Sequence, residues 1–322
     1  MVLVAGVLMT GCKSDDDASL APVRDHAVQY NLEISEIETF LKTHRYVVSD
    51  APGTVTDQDV VFEPVPINDP ESIWNSANLH HRMVPLHGIE YKLYYLQVRE
   101  GGGTGSEPEP YPCNVDSVLM AYNGEYLYRE TTTDEDGESS SSLTLVNFET
   151  VLYPQTLLNL ETVIRGWGEI LPQFRPGTAV SVDGEPTSYL NFGAGVMFIP
   201  SGLAYYNAPQ ATIPAYSPLF FSFKFYAMQR EDQDGDGIPS YLEDLDGDRY
   251  LYFLEGDNPD DTDGDGIPDF RDIDDDNDQV LTKVERMNHA TGEYYDFSDI
   301  PTCPGGTLPR HRDASCNGLP TN

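Results

Sequence analysis

Two sets of side chains in this 322-residue chain have the types and spacing to do chemistry. The first is aromatic. Tyr122-Asn123-Gly124, Val163-Ile164-Arg165-Gly166-Trp167, the Ala204-Tyr205 pair after Ile199-Pro200, and Ile213-Pro214 running into Leu219, Phe220 and Phe221 follow one another in order. Folded together, these pieces would converge one Trp, one Tyr and one Phe on a single apolar pocket, suited to hold a proline ring. No His or Cys occurs from Val115 to Asn288. Such a pocket would therefore work by shape and by stripping water from its ligand, without a thiol nucleophile or an imidazole base.

The second set is acidic. Carboxylates at positions 1, 3, 5 and 12 of a loop recur four times: Asp232, Asp234, Asp236 and Glu243; Asp244, Asp246, Asp248 and Glu255; Asp261, Asp263, Asp265 and Asp272; Asp274, Asp276, Asp278 and Glu285. Alternate residues of a tight loop aim their oxygens inward, which is the arrangement hard Ca²⁺ needs to reach 6–8 oxygen ligands. Gly237 and Gly266 stand at position 6, where the turn is sharpest, while Arg249 and Gln279 stand there in the other two, so the first and third loops are the stronger candidates. Pro239 and Pro268 and the close succession of loops leave no room for EF-hand helices. The Asp-Gly-Asp-Gly-Ile-Pro-Asp run from Asp263 instead resembles thrombospondin type 3 and related bacterial calcium repeats. The resemblance implies structural Ca²⁺ as the organising centre, at modest affinity, about 10⁻⁴–10⁻³ M.

Charge points the same way. The formal net charge is −36, and Arg230–Asp299 alone carries 24 acidic against 5 basic residues. That balance excludes nucleic-acid partners and asks for a cation. At the other end, apolar Met1–Met9 leads through Thr10-Gly11 to Cys12 and then Lys13-Ser14-Asp15-Asp16-Asp17. This resembles a bacterial lipoprotein signal and implies lipidation at Cys12, a membrane anchor and an outer-membrane location facing the periplasm or the cell surface. Cys303 and Cys316 flank a Gly/Pro-rich tail and suit a disulfide, which leaves Cys113 as a buried thiol.

The elements that must position these residues can be read coarsely. Leu32, Ile34, Ile37, Phe40 and Leu41 predict an amphipathic helix within Asp25–Tyr46, and Val47–Gly88 reads as irregular. Tyr91–Val98 and Val115–Tyr128 read as strands, with a turn or bulge at Asn123-Gly124, and Thr131–Ser142 as an exposed loop. Ile164, Trp167 and Leu171 predict a short helix ended by Pro172. Leu219, Phe221, Phe223 and Phe225 alternate as the inward face of a last strand.

Taken together, the four ordered aromatic pieces resemble the FKBP-type peptidyl-prolyl cis-trans isomerases over Tyr91–Met228. The resemblance implies an α+β fold, an antiparallel sheet curled over a short helix. It implies Trp167 as pocket floor, Tyr122 and Phe221 as walls, Val163 and Ile164 as rim and backbone amide, Tyr205 as hydroxyl donor and Ile213 as part of a covering loop. The implied substrates are proline-containing polypeptides, with no catalytic cofactor. The family's Phe-Asp pair has no counterpart in Arg129–Asp136, where Asp134 is the one stand-in, so weak activity is expected. The expected organisation is a signal (1–12), an acidic tether (13–24), an N-terminal helix and irregular region (25–90), the isomerase-like domain (91–228), the calcium repeats (229–290) and a tail (291–322). The alternative is a non-catalytic surface lipoprotein that binds proline-containing segments, with the repeats as spacer or adhesive element.

Overall fold

The computed structural model describes residues 22–316, apart from 68, 135, 185, 254 and 257. The expected signal segment with Cys12 and most of the expected tether lie outside the described residues. Helix α1, His26–Thr43, starts where the Asp25 carboxylate accepts the Val28 amide at 3.0 Å. Its inward stripe is Gln29, Glu33, Ile37, Phe40 and Leu41, whereas Leu32, expected on that stripe, is 59% exposed. Leu32 lies about a sixth of a turn outside the arc swept by Gln29, Glu33, Ile37 and Leu41.

The segment expected to be irregular is largely ordered. β1 (His44–Val48) and β2 (Val60–Pro64) form a hairpin, and β3 (Leu79–Leu86) pairs antiparallel with β4 (Ile89–Arg99). The boundary drawn at 90/91 thus falls inside a hairpin. The remaining strands are β5 (Ser117–Thr133), β6 (Ser139–Val151), β7 (Leu158–Asn159), β8 (Thr178–Val180), β9 (Ser188–Leu190), β10 (Gly193–Ile199) and β11 (Leu219–Gln229). Between β7 and β8 lies α2, Arg165–Ile170, continued by a 3₁₀ turn over Leu171–Gln173 that carries Pro172. The main sheet is antiparallel in the order β3-β4-β10-β11-β5-β6, with β7 also on β5.

Both faces of this sheet are covered. Leu93, Met197, Phe221, Phe223 and Phe225 pack with Trp167, Ile170 and Leu171 on the α2 side. Tyr94, Leu96, Val196, Phe198 and Phe220 pack with Ile37, Phe40 and Leu41 on the α1 side. Hence Phe220, on the face opposite Phe221, is only 1% exposed. β5 and β6 run past the expected exposed loop and turn at Asp134–Glu138, where the Asp134 carboxylate accepts the Asp136 and Glu138 amides. Asp134 is a turn cap, remote from the aromatic residues in register.

After β11 the chain is mostly loops and single 3₁₀ turns, with α3 (Thr282–Glu285) and a small β12–β13 pair (Met287–Asn288, Glu293–Tyr294). The Cys303–Cys316 disulfide closes the tail at a Cα–Cα distance of 5.7 Å, and Cys113 is free and buried, its thiol pushed up to about 12 by burial. That thiol is no nucleophile near neutral pH. Among the described residues no helix is long and apolar enough to cross a membrane.

Candidate functional site

The aromatic site is built on α2, β5, β6 and β11. Gly166 lets α2 approach β10 closely, since a Cβ there would sit 2.6 Å from the Ile199 side chain. This seats the Trp167 indole edge-on against two rings: centroids lie 5.1 Å from Tyr122 at 85° and 5.1 Å from Phe221 at 84°. Tyr122 and Phe221 also meet each other at 5.9 Å. Edge-to-face geometry places ring hydrogens over neighbouring π faces and fixes the cluster's shape. The structure therefore brings together Trp167, Tyr122 and Phe221, with Val163 and Ile164 half-buried against the same core and Ile213 buried within it. The Ile164 amide, one residue ahead of the helix, makes no hydrogen bond among the described residues.

Tyr205 is the exposed member at 39%, carried on the turn after the 3₁₀ segment Ser201–Leu203. The next residue, Tyr206, has φ +48°, a conformation that Gly holds without strain. Its neighbour Ser201 is tied to α1: the Glu33 carboxylate accepts the Ser201 amide at 2.8 Å and its hydroxyl at 2.5 Å.

Sequence reasoning missed two members. Phe148 on β6 meets Phe221 at 5.7 Å and 85°, and Glu149 beside it accepts the Tyr122 hydroxyl at 2.8 Å. Burial and then this carboxylate push the Tyr122 phenol upward, and Glu149 also acts on Tyr205, which puts all three groups on one rim. Phe148 and Glu149 thus put a ring and a carboxylate side by side at the site, while Arg129–Asp136 carries no Phe-Asp pair. The long β5–β6 hairpin is inserted between Tyr122 and Phe148. Gly124 beneath it explains the Tyr-x-Gly spacing, because a Cβ there would lie 2.6 Å from the Phe148 ring.

Trp167 is 4% exposed, and its Nε1 has no hydrogen-bond partner among the described residues. A cavity of about 230 Å³ is lined among others by Tyr122, Asp59, Val60, Thr150 and Lys224, and neither Trp167 nor Tyr205 borders it.

In the Asp-rich segment, the carboxylates at positions 1, 3 and 5 of each loop gather with ligand atoms within 4.8 Å of one another: Asp232, Asp234 and Asp236; Asp244, Asp246 and Asp248; Asp261, Asp263 and Asp265; Asp274, Asp276 and Asp278. All four share a backbone frame. Positions 4 and 6 have positive φ throughout, including Arg249 at +76° and Gln279 at +77°, so the non-glycine loops adopt the same turn. The position-1 carboxylate accepts the position-6 amide in every case, at 2.9–3.1 Å.

The position-12 residues diverge. Glu243 is 3% exposed with neither oxygen hydrogen-bonded; Glu285 is 2% exposed with Oε2 unpartnered. Burial, then the neighbouring Asp236 and Asp275, pushes Glu243 up to about 11. Asp272 is half-buried and accepts the Asp274 amide at 3.0 Å. Glu255 departs from expectation: it is exposed and accepts the Gly88 amide at 3.0 Å. Nearby Asp260, 0% exposed, takes the Leu245 amide on Oδ1 at 2.6 Å, the position-2 amide that Ser240, Asp269 and Thr282 take in the other loops, and its Oδ2 has no partner among the described residues. Asp260 lies outside the twelve-residue frame, so spacing alone could not find it. Carboxylates packed this densely, several of them stripped of water, fit a hard divalent cation that supplies the missing charge.

Residues 233–310 match the family model described as BamM C-terminal. No curated protein sequence matches the chain. Similar solved structures include a peptidyl-prolyl cis-trans isomerase of Pseudomonas syringae pv. tomato, with 16% identity over 66% of this chain and 100% of that one and a TM-score of 0.33. FkpA of Escherichia coli is another, with 20% identity over 64% of this chain and 61% of that one and a TM-score of 0.32. The chain thus spans about three fifths of FkpA.

Proposed function

We propose that this protein is a peptidyl-prolyl cis-trans isomerase whose C-terminal loops bind Ca²⁺, lipid-anchored through Cys12 at the bacterial outer membrane, where it assists folding of envelope or secreted polypeptides. One observation carries the reading: Trp167 stands perpendicular to Tyr122 and Phe221 at 5.1 Å each, at the start of a helix whose rim residues are Val163 and Ile164.

The chemistry asks little more of the chain. Rotation about an Xaa–Pro bond faces a barrier of about 18–20 kcal/mol from amide resonance. The planar ground state is the more polar, so a surface of rings that excludes water disfavours it relative to the twisted state. Trp167 and Phe221 supply the apolar floor for the proline ring, with Phe148 beside Phe221. On this reading the Ile164 amide would hold the peptide backbone and the Tyr205 hydroxyl would bind a substrate carbonyl. Glu149, held by Tyr122, sets the polar side of the rim. In the C-terminal segment the four Asp triads, with Glu243, Asp260, Asp272 and Glu285, would hold Ca²⁺, which neutralises the loops and orders them.

A second reading, prolyl binding without catalysis, is favoured by the 4% exposure of the indole. A protease-coupled assay on Xaa-Pro peptides separates the two. Catalysis that Trp167→Ala and Tyr205→Phe both weaken supports isomerisation. Peptide binding with a rate equal to buffer supports the alternative.

A further inference from the structure

The second Asp loop differs from its three neighbours in where it leads. At position 7 the other loops carry Ile238, Ile267 and Val280, but this one carries Tyr250, which is 2% exposed and points into the isomerase-like domain. Its hydroxyl donates to the Glu169 carbonyl of α2 at 2.8 Å and accepts from Gln173 Nε2 at 2.9 Å. The Arg82 guanidinium lies 3.3 Å over the Tyr250 ring and binds the Glu169 carboxylate at 2.6 Å, and Arg165 binds that carboxylate from within α2. On either side of Tyr250 the backbone is clamped by one residue, since the Asn114 amide donates to the Arg249 carbonyl and Asn114 Oδ1 accepts the Leu251 amide, both at 3.0 Å.

The residues that make this contact hang from the loop's acidic groups. Asp248 Oδ1 accepts the Tyr250 amide at 2.7 Å, and Asp244 Oδ2 accepts the Arg249 amide at 2.9 Å. Arg249 is held at φ +76°, a strained conformation for a side-chain-bearing residue. Asp244, Asp246 and Asp248 converge within 4.8 Å, and the wholly buried Asp260 has an unpartnered Oδ2 beside them, anchored at Leu245 between the first two. Without a counter-charge, mutual repulsion of these groups opposes the turn that presents Tyr250.

We propose that the second loop, with Asp260 rather than Glu255 as its closing carboxylate, is a calcium-controlled latch that presses Tyr250 against α2 and thereby sets the Trp167 site. The inference rests on the calcium reading above but not on catalysis. Trp167 and the latched Glu169 belong to one turn of helix, so a loosened latch frees the C-terminal end of the element that carries the indole.

The test uses the full chain with Trp74→Phe, which leaves Trp167 as its one tryptophan. Ca²⁺ is titrated after EGTA treatment while Trp167 emission is followed, with calorimetry counting bound Ca²⁺. The latch predicts an emission change with a midpoint at about 10⁻⁴–10⁻³ M Ca²⁺. Asp260→Asn should remove one bound ion and the emission change, while Glu255→Gln should keep both. Tyr250→Phe should keep the bound ions yet lose most of the change, and this variant reads the contact itself. If isomerase activity is present, kcat/KM should fall about fivefold or more in EGTA. Ca²⁺ binding with Trp167 emission unmoved, or a response that Tyr250→Phe leaves intact, overturns the latch whether or not the protein isomerises. No Ca²⁺ binding at all overturns the latch together with the calcium reading. An emission response without isomerase activity keeps the latch and removes catalysis.

Discussion

Gly124→Ala is a small change with a computable consequence. An added Cβ would lie 2.6 and 2.8 Å from two atoms of the Phe148 ring and 3.0 Å from the Phe221 ring. Ordinary carbon contacts are about 3.5–4.0 Å, so Phe148 must retreat by about 1 Å or leave its rotamer. Overpacking of this kind costs about 1–3 kcal/mol. Because Phe148 and Phe221 pack edge-to-face at 5.7 Å, the retreat also opens the wall beside Trp167. A misplacement of that size lowers kcat/KM by about ten- to a hundredfold. Denaturant unfolding and a protease-coupled isomerase assay read the two effects. The same substitution in a Phe148→Leu background should cost much less stability, since the smaller side chain vacates the contact. A single variant as stable as the parent, or an equal cost in both backgrounds, would refute the packing argument.

Three further outcomes are expected. Glu149→Gln should leave stability within about 1 kcal/mol, as its hydrogen bond to Tyr122 is at the surface, while weakening Xaa-Pro turnover; unchanged kinetics would take Glu149 out of the site. Glu33, buried on α1, has its pKa raised by burial against the hydrogen bonds from Ser201 and Gln29. Its contribution to stability is full below the unfolded carboxylate pKa of about 4.3 and is lost as pH rises through the folded value. Relative to Glu33→Gln, the parent should thus gain stability as pH falls from 7 toward 4; a constant difference across that range would contradict the burial assignment. Finally, Ca²⁺ should protect 229–290 from limited proteolysis, and EGTA should restore cleavage; identical digestion patterns would count against cation binding.

Much of the site was legible because its carriers are local. The alternation of Leu219, Phe221, Phe223 and Phe225 marks β11 unaided, and Ile164, Trp167 and Leu171 mark α2 with Pro172 at its end. The Asp triads converge because a one-three-five spacing in a tight turn leaves them little choice. What escaped reading depends on distant partners. β3 carries His80, His81 and Arg82 and shows no clean alternation, and it becomes a strand because β4 offers it an edge. Phe148-Glu149 was hidden by the β5–β6 insertion, whose Ser- and Thr-rich arms look like a loop until they pair with each other over Glu130–Ser142. Phe220 falls on the face opposite that alternation, and α1 packing across the sheet buries it. Glu255 turns away to the Gly88 amide while buried Asp260 accepts the Leu245 amide, tertiary contacts no spacing encodes.

The most direct measurement is exchange spectroscopy by NMR on an Ala-Pro-containing peptide with substoichiometric full-length protein. Cis/trans exchange accelerated well above the uncatalysed rate, and returned toward it by Trp167→Ala in a still-folded protein, is the predicted result. Exchange indistinguishable from peptide alone at every protein concentration would contradict it.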